Sequence, residues 1–140
     1  MSDWLADQVF YEVFPDRFAL PHGHDLAAKR AHLPPNADLR AWDQLPAHPP
    51  RGRDWFGGDL TGLTERLDYV SALGATALYL TPVFAAASNH RYDTVDFDRV
   101  DPALGGDPTL DALLEACRPR DLRVMPPGRR TPTWSRAASG

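Results

Sequence analysis

The apolar positions of the chain form three short runs, which predict three β-strands. Residues 9–14 (VFYEVF) are β-branched and aromatic and stop at Pro15, and residues 75–80 (ATALYL) stop before Thr81 and Pro82. Residues 122–125 (LRVM) form the third run. The first run is almost continuously apolar, which is typical of a strand buried on both faces of a parallel sheet.

Between these runs, apolar residues recur at spacings of three and four, which predicts two amphipathic helices. The first stripe consists of Leu60, Leu63, Leu67, Val70 and Leu73. The second stripe consists of Leu110, Leu113, Leu114 and Cys117. Asp59 is placed to cap the first helix, and Gly74 lies just past its end. Asp107 and Pro108 are suited to the cap and first turn of the second helix.

Two segments lack a sustained period and are predicted to be loops. The first loop is residues 19–54, which carry six prolines, at positions 21, 34, 35, 46, 49 and 50. The second loop is residues 83–106. The resulting order is strand, long loop, helix, strand, loop, helix, strand. This alternation predicts an α/β fold with a parallel sheet, and right-handed crossovers would place both helices on one side of it. Three strands and two helices cannot close a barrel, so we expect an incomplete one or a wound sheet.

Composition narrows the possible functions. The 140 residues carry a net charge of −4, which gives no basic surface for nucleic acid, and no apolar run approaches the roughly 18 residues of a membrane span. The single cysteine excludes an internal disulfide and suits a reducing compartment. The N-terminus lacks the basic and apolar regions of a signal peptide. We therefore expect a cytoplasmic protein without nucleic-acid or membrane partners.

Five short strings in order along the chain carry the functional signal. Three of them follow the ends of predicted strands, where α/β folds place their sites. The strings are FPDRF (14–18), LRAWD (39–43), WFGGDL (55–60), LTPVF (80–84) and SNHRYDT (88–94). Together they resemble the α-amylase family, glycoside hydrolase family 13, and most of all its maltodextrin glucosidase, cyclomaltodextrinase and neopullulanase group. The resemblance covers about residues 8 to 125.

The resemblance implies a TIM (β/α)₈ barrel that hydrolyses α-glucosidic bonds with retention and acts on an α-glucan or maltooligosaccharide. Retention requires two carboxylates about 5 Å apart, which the family supplies from its fourth and fifth strands, with a third carboxylate after the seventh. No catalytic residue is therefore assigned in this chain. The family's first signature, Asp-x-Val-x-Asn-His, is expected directly after Met125, where the sequence reads Pro126-Pro127-Gly128. We expect no hydrolysis by the chain alone.

Four residues match binding positions of the family. His90 and Tyr92 match a His-x-Tyr that lines the subsite of the glucose unit to be cleaved; the alternative is a loop tyrosine beside a solvated histidine. Gly57 and Asp59 match positions that bind calcium in some relatives. Residues 19–25 (ALPHGHD) depart from the Asn- and Asp-rich partner segment of those relatives. The favoured interpretation is that Asp59 only caps a helix, and no cofactor is predicted.

Other candidate residues have simpler interpretations. His22, His24 and Asp25 are of the types that bind zinc, but they lie in a proline-flanked polar loop without a fourth ligand at a recognisable spacing. Asp16 and Arg17 are expected to form a structural ion pair at the rim of the sheet. Cys117 lies on a helical apolar stripe and is expected to be a small buried hydrophobic residue.

The domain prediction divides the chain at residue 125. Residues 1–125 are the N-terminal segment of a glycosidase barrel, with the long loop at 19–54, and residues 126–140 (PPGRRTPTWSRAASG) are a disordered or frameshifted tail. Two alternatives remain open. One is a non-catalytic carbohydrate-binding module that uses Trp42, Trp55 and Tyr92, and the other is a non-functional gene fragment.

Overall fold

The architecture comes from a computed structural model, which describes residues 7–86, 89 and 94–125, without the side chains of 94–98. The elements in chain order are β1 (Phe10–Val13), α1 (Pro15–Phe18), α2 (Leu26–Lys29), a 3₁₀ turn (Arg30–His32), β2 (Asp38–Leu39), β3 (Asp54–Trp55), α3 (Leu60–Glu65), α4 (Leu67–Ala72), β4 (Ala77–Leu80), β5 (Phe84–Ala86), β6 (Thr94–Val100), a 3₁₀ turn (Pro102–Leu104), α5 (Asp107–Cys117), a 3₁₀ turn (Arg118–Arg120) and β7 (Arg123–Met125).

The three predicted strands form one parallel sheet in the order β1-β4-β7. Tyr11 lies opposite Leu78, which lies opposite Val124. Helices α3 and α5 contact each other, so the two crossovers lie on the same side of the sheet. The prediction of an α/β fold with a parallel sheet is therefore confirmed, and within the described residues the sheet stays open.

A continuous apolar core lies between the helices and the sheet. The predicted stripe residues Leu60, Leu63, Leu67 and Val70 are all fully buried, but Leu73 is 56% exposed. Leu73 leaves the stripe because α4 ends at Ala72, whereas the break in helical geometry at Arg66 (φ −108°, ψ 11°) leaves the stripe residues Leu67 and Val70 buried. Gly74, with a φ of +88°, follows the helix end as predicted.

The first strand is buried on only one face of the described sheet. Val13 is buried, whereas Phe10 is 39% exposed and Glu12 is exposed. The expectation of burial on both faces is wrong for this strand, because β1 is an edge strand and the described helices pack on the opposite face.

Both predicted loops contain short regular elements. Within 19–54 lie α2 and β2, and β2 pairs in parallel with β3; within 83–106, β5 and β6 form an antiparallel ribbon. Apart from the seven-residue β6, these elements have two to four residues, which is too short to show a period, so the sequence pattern missed them. The cap of α5 also differs from the prediction: Gly106 is the N-cap, and Asp107 instead accepts the Val100 N–H at 2.9 Å. In the described part of the chain, every helix is too short or too polar to cross a membrane.

Candidate functional site at the ends of the parallel strands

Asp16 organises the edge of the sheet at which β1 ends. Its carboxylate is 2% exposed and accepts the N–H groups of Phe56 at 2.9 Å and Gly57 at 3.0 Å. The carbonyl of the same residue accepts the Gly58 N–H at 2.9 Å. Three successive backbone donors of the string at 55–60 therefore converge on one residue of the string at 14–18. This contact links two of the five strings, which are separated by 40 residues.

Two glycines make this close approach possible. A Cβ at Gly58 would lie 2.4 Å from the Pro15 carbonyl oxygen, and one at Gly62 would lie 2.1 Å from the Ala19 carbonyl oxygen. Both neighbours are backbone atoms, which cannot rotate away as a flexible side chain could. Glycine is therefore required where the start of α3 passes over the segment that follows β1.

Arg17, the neighbour of Asp16, contacts aromatic rings. Its guanidinium carbon lies 3.7 Å from the centroid of the Phe56 ring and 5.6 Å from that of Trp42. Such cation–π stacking suits the planar guanidinium group. Arg17 and Trp42 also line a cavity of about 530 Å³, together with Tyr11 and Tyr69.

A partly buried ion pair holds the short ribbon formed by β2 and β3. Arg40 Nε donates to Asp54 Oδ1 at 2.8 Å, and the Ala47 N–H donates to Oδ2 at 2.7 Å. Burial raises the pKa of Asp54, but the Arg40 hydrogen bond, the Ala47 N–H and the Arg40 charge together hold that pKa below its usual value. Arg40 lies in the string at 39–43, but the sequence pattern does not indicate its partner.

The same ribbon holds the residue that precedes the predicted substrate-binding pair. Asn89 Nδ2 donates to the Asp54 carbonyl at 2.6 Å, and the Asn89 N–H donates to the Gly52 carbonyl at 3.0 Å. His90 and Tyr92 themselves lie outside the described residues.

Asp59 caps α3, as the sequence predicted. Its Oδ1 accepts the Gly62 N–H at 2.7 Å. Its other oxygen, Oδ2, accepts from the Lys29 ammonium at 2.7 Å, and the same ammonium donates to the Gly57 carbonyl at 2.8 Å. The sequence analysis did not indicate Lys29.

The Lys29 contact decides whether Gly57 and Asp59, as placed, fit a calcium ion. Calcium binds six to eight oxygens at 2.3–2.6 Å, and an ion held by the Gly57 carbonyl and Asp59 Oδ2 would lie where the Lys29 Nζ atom lies. Two positive charges cannot share that position. These residues therefore do not fit calcium while Lys29 is in place.

The other candidate residues cap a helix, pack in the core or lie partly or fully exposed. His22, His24 and Asp25 are exposed, and Asp25 is the N-cap of α2, accepting the Ala28 N–H at 3.1 Å. Cys117 is buried, as predicted, and burial raises the pKa of its thiol to about 12. Trp55 is only 1% exposed and cannot offer a ring face to a sugar, so its suggested binding role is wrong. Trp42 is partly exposed.

Comparison with known proteins agrees with this architecture. A family profile for the alpha-amylase catalytic domain matches residues 12–126. The chain is 40% identical over 123 residues to a cyclomaltodextrinase of Geobacillus thermopakistaniensis (strain MAS1) and 37% identical to neopullulanase 2 of Thermoactinomyces vulgaris. It is 39% identical to an intracellular maltogenic amylase of Bacillus subtilis (strain 168). Each alignment covers 88% of this chain and 19% of the relative, so the chain spans about a fifth of the relatives' length.

Solved structures give the same result. A cyclic alpha-maltosyl-(1→6)-maltose hydrolase from Arthrobacter globiformis superposes with a TM-score of 0.73 at 44% identity, covering 89% of this chain and 25% of that chain. The type III pullulan hydrolase from Thermococcus kodakarensis superposes with a TM-score of 0.70 at 31% identity, covering 88% and 23%. The chain therefore belongs to the α-amylase family of glycoside hydrolases and corresponds to the N-terminal part of its (β/α)₈ barrel.

Proposed function

We propose that this chain forms the N-terminal wall of the substrate site of an enzyme that hydrolyses maltodextrin-like α-glucans, and that the chain alone does not carry out the reaction. The observation that supports this role is the Asp16-centred contact at the carboxyl end of β1. Barrel enzymes of this type build their sites from the connections that follow the strands. Asp16 fixes the two ends of the connection between β1 and α3 against each other, which gives a rigid surface.

The proposed contact with substrate is made by His90 and Tyr92. Both follow Asn89, which is anchored by two hydrogen bonds to the segment that carries Asp54. The Tyr92 ring would cover the apolar face of a glucose unit, and the His90 imidazole would donate to a hydroxyl. The relatives' names, which refer to maltose, cyclomaltodextrin and pullulan, support an α-glucan as the substrate class.

The bonding of the buried carboxylates supports the proposed lack of activity. In the described part of the chain, the buried residues Asp16, Asp54, Asp59 and Asp101 each accept hydrogen bonds from backbone N–H groups, and Asp54 and Asp59 also pair with a cation. Carboxylates bonded in this way stabilise loops and caps. Retaining hydrolysis needs a free nucleophile and a protonated acid facing each other.

The test of the proposal has two arms. The purified 140-residue chain is incubated with maltotriose, and release of glucose or maltose would overturn the inactivity. In the second arm, residues 12–125 replace the matching segment of the Geobacillus cyclomaltodextrinase, and the chimera is expected to hydrolyse cyclomaltodextrin. Tyr92→Ala in the chimera should lower kcat/KM by roughly tenfold or more, whereas Leu45→Ala, which truncates an 82% exposed side chain, should leave it unchanged. Equal effects of the two substitutions would contradict the proposed role of Tyr92.

Carbohydrate binding without catalysis is the second candidate function. It is favoured by the 530 Å³ cavity, which combines the Trp42, Tyr11 and Tyr69 rings with Arg17. Aromatic rings beside charged donors are typical of sites for sugars. Titration with maltooligosaccharides while monitoring tryptophan fluorescence tests it, with Trp42→Phe as the control. An unchanged signal up to millimolar ligand would eliminate this candidate.

We also place the protein in the cytoplasm. The support is its single buried cysteine and the intracellular maltogenic amylase among its relatives. Fractionation of cells that express the tagged native gene tests this.

A further inference from the structure

Lys29 is the only lysine among the chain's 15 lysine and arginine residues. It is the last residue of α2, and its side chain is only 14% exposed. Its ammonium bridges two oxygens that lie 28 and 30 residues further along the chain, the Gly57 carbonyl and Asp59 Oδ2. The only place in the chain where lysine is used instead of arginine is therefore a site with two oxygen acceptors.

The geometry of the site explains this choice. An ammonium is a compact charge with three donors, whereas a guanidinium is a broad planar fork. Helix α2 packs so closely on the Asp59 connection that a Cβ at Gly57 would lie 2.6 Å from Leu26 Cδ2. Gly57 also has a φ of +92°, which turns its backbone at this point. A compact ammonium with several donors therefore suits the two oxygens that converge between the helix and the turn better than a planar fork does.

We propose that the Lys29 ammonium serves as a built-in cation at this site, so that α2 is anchored to the start of α3 without a metal ion. The contact is partly buried and consists of charge-assisted hydrogen bonds, which are shorter and stronger than neutral ones. It fixes one end of the 19–54 segment and neutralises the carboxylate that caps α3. The site is therefore complete within the chain and is expected to be indifferent to calcium.

The first experiment uses the single lysine as a chemical probe. The chain is treated with an acetylating N-hydroxysuccinimide ester, and mass spectrometry compares acetylation of Lys29 with that of the N-terminal amine. The acetylation rate of Lys29 is divided by that of the N-terminal amine. We expect this ratio to be roughly tenfold lower in buffer than in urea, because the bonded ammonium must first detach. A ratio that urea does not change would overturn the proposal.

The second experiment tests the cation directly. Hydrogen exchange across residues 25–33 is measured by mass spectrometry in excess EDTA and in 10 mM calcium chloride, and the two rates are expected to agree. Calcium that slows exchange of this segment, or that binds with micromolar affinity by calorimetry, would overturn the proposal. This arm needs only the unsubstituted chain, so it does not depend on the folding of any variant.

Substitution provides the third arm. Lys29→Ala is expected to speed exchange across 25–33 by roughly tenfold, and Lys29→Arg should not restore the slow rate, because the guanidinium cannot take the same position. Arg51→Ala removes one positive charge from an exposed position elsewhere in the 19–54 segment and should not change exchange across 25–33. If Lys29→Ala behaves like Arg51→Ala, the ammonium does not anchor the helix and the proposal is wrong.

Discussion

Replacing Asp16 tests the contact on which the site depends. Asp16→Ala removes the carboxylate that accepts the N–H groups of Phe56 and Gly57, while the backbone bond from Gly58 to the Asp16 carbonyl can remain. Asp16→Asn keeps the shape of the side chain but leaves one acceptor oxygen and turns a donor toward the other N–H. The two substitutions therefore separate the loss of charge from the loss of both acceptors.

The magnitude follows from the burial of the groups involved. Asp16 and Phe56 are both 2% exposed, so water cannot readily replace the lost acceptor. A hydrogen bond to a charged group contributes about 1.5–3 kcal/mol, and leaving a buried donor unsatisfied costs about 1–3 kcal/mol. Two such bonds give about 3–6 kcal/mol for Asp16→Ala, and roughly half of that for Asp16→Asn. This is a large part of the 5–15 kcal/mol by which whole domains are stable.

Hydrogen exchange of the Phe56 and Gly57 amides measures this effect at the site itself. A loss of 3 kcal/mol corresponds to exchange faster by about two orders of magnitude, since each 1.4 kcal/mol changes an equilibrium tenfold. Asp43→Ala, at an exposed carboxylate, is the control and should leave both amides unchanged. Exchange in Asp16→Ala within threefold of the control would refute the argument that this carboxylate holds the two ends of the β1–α3 connection together.

Three further predictions concern other parts of the fold. Gly62→Ala would place a Cβ 2.1 Å from a backbone oxygen and should destabilise the chain by about 1–3 kcal/mol in urea unfolding. Thr61→Ala, on the exposed face of the same helix, should not, and equal urea midpoints for the two variants would contradict the argument. Because the folded-state pKa of Asp54 is lowered, its contribution is complete above the ordinary value of 3.8 and is lost as the pH falls through the lower folded value. Arg40→Ala should move that loss to higher pH, as monitored by tryptophan fluorescence, and an unchanged acid profile would contradict the role of the pair. Burial raises the Cys117 pKa from 9.0 to about 12, so its stabilising effect is present below pH 9 and is lost as the pH rises toward 12. Iodoacetamide at pH 8 should therefore alkylate Cys117 at least about a hundredfold more slowly in buffer than in urea, and similar rates would show that the core is open.

Local features of the fold were predictable because they depend on short repeats and on single capping residues. The order of three strands and two helical stripes, the cap at Asp59, the glycine after α4 and the buried Cys117 all appear in the structure as expected. The family also followed from the sequence, since its strings are short segments that keep their identity and order.

Errors occurred where a residue's environment depends on distant parts of the chain. The apolar spacing placed Leu73 on the buried stripe, whereas α4 ends at Ala72 and leaves Leu73 56% exposed. One of the alternatives used Trp55 in a carbohydrate-binding surface, yet the fold buries its side chain.

The sequence by itself determined the class of fold, the family, the Asp59 cap and the end of the helix at Gly74, because helical and strand periods and caps act over a few residues. Only the tertiary structure decided which groups meet at the site. Asp16 reaches Phe56 across 40 residues, and Lys29 reaches Asp59 across 30. Such contacts depend on the path of the intervening chain, including elements too short to leave a period. For this reason a lysine without any motif fills a position for which the sequence suggested only a cap or a calcium ion.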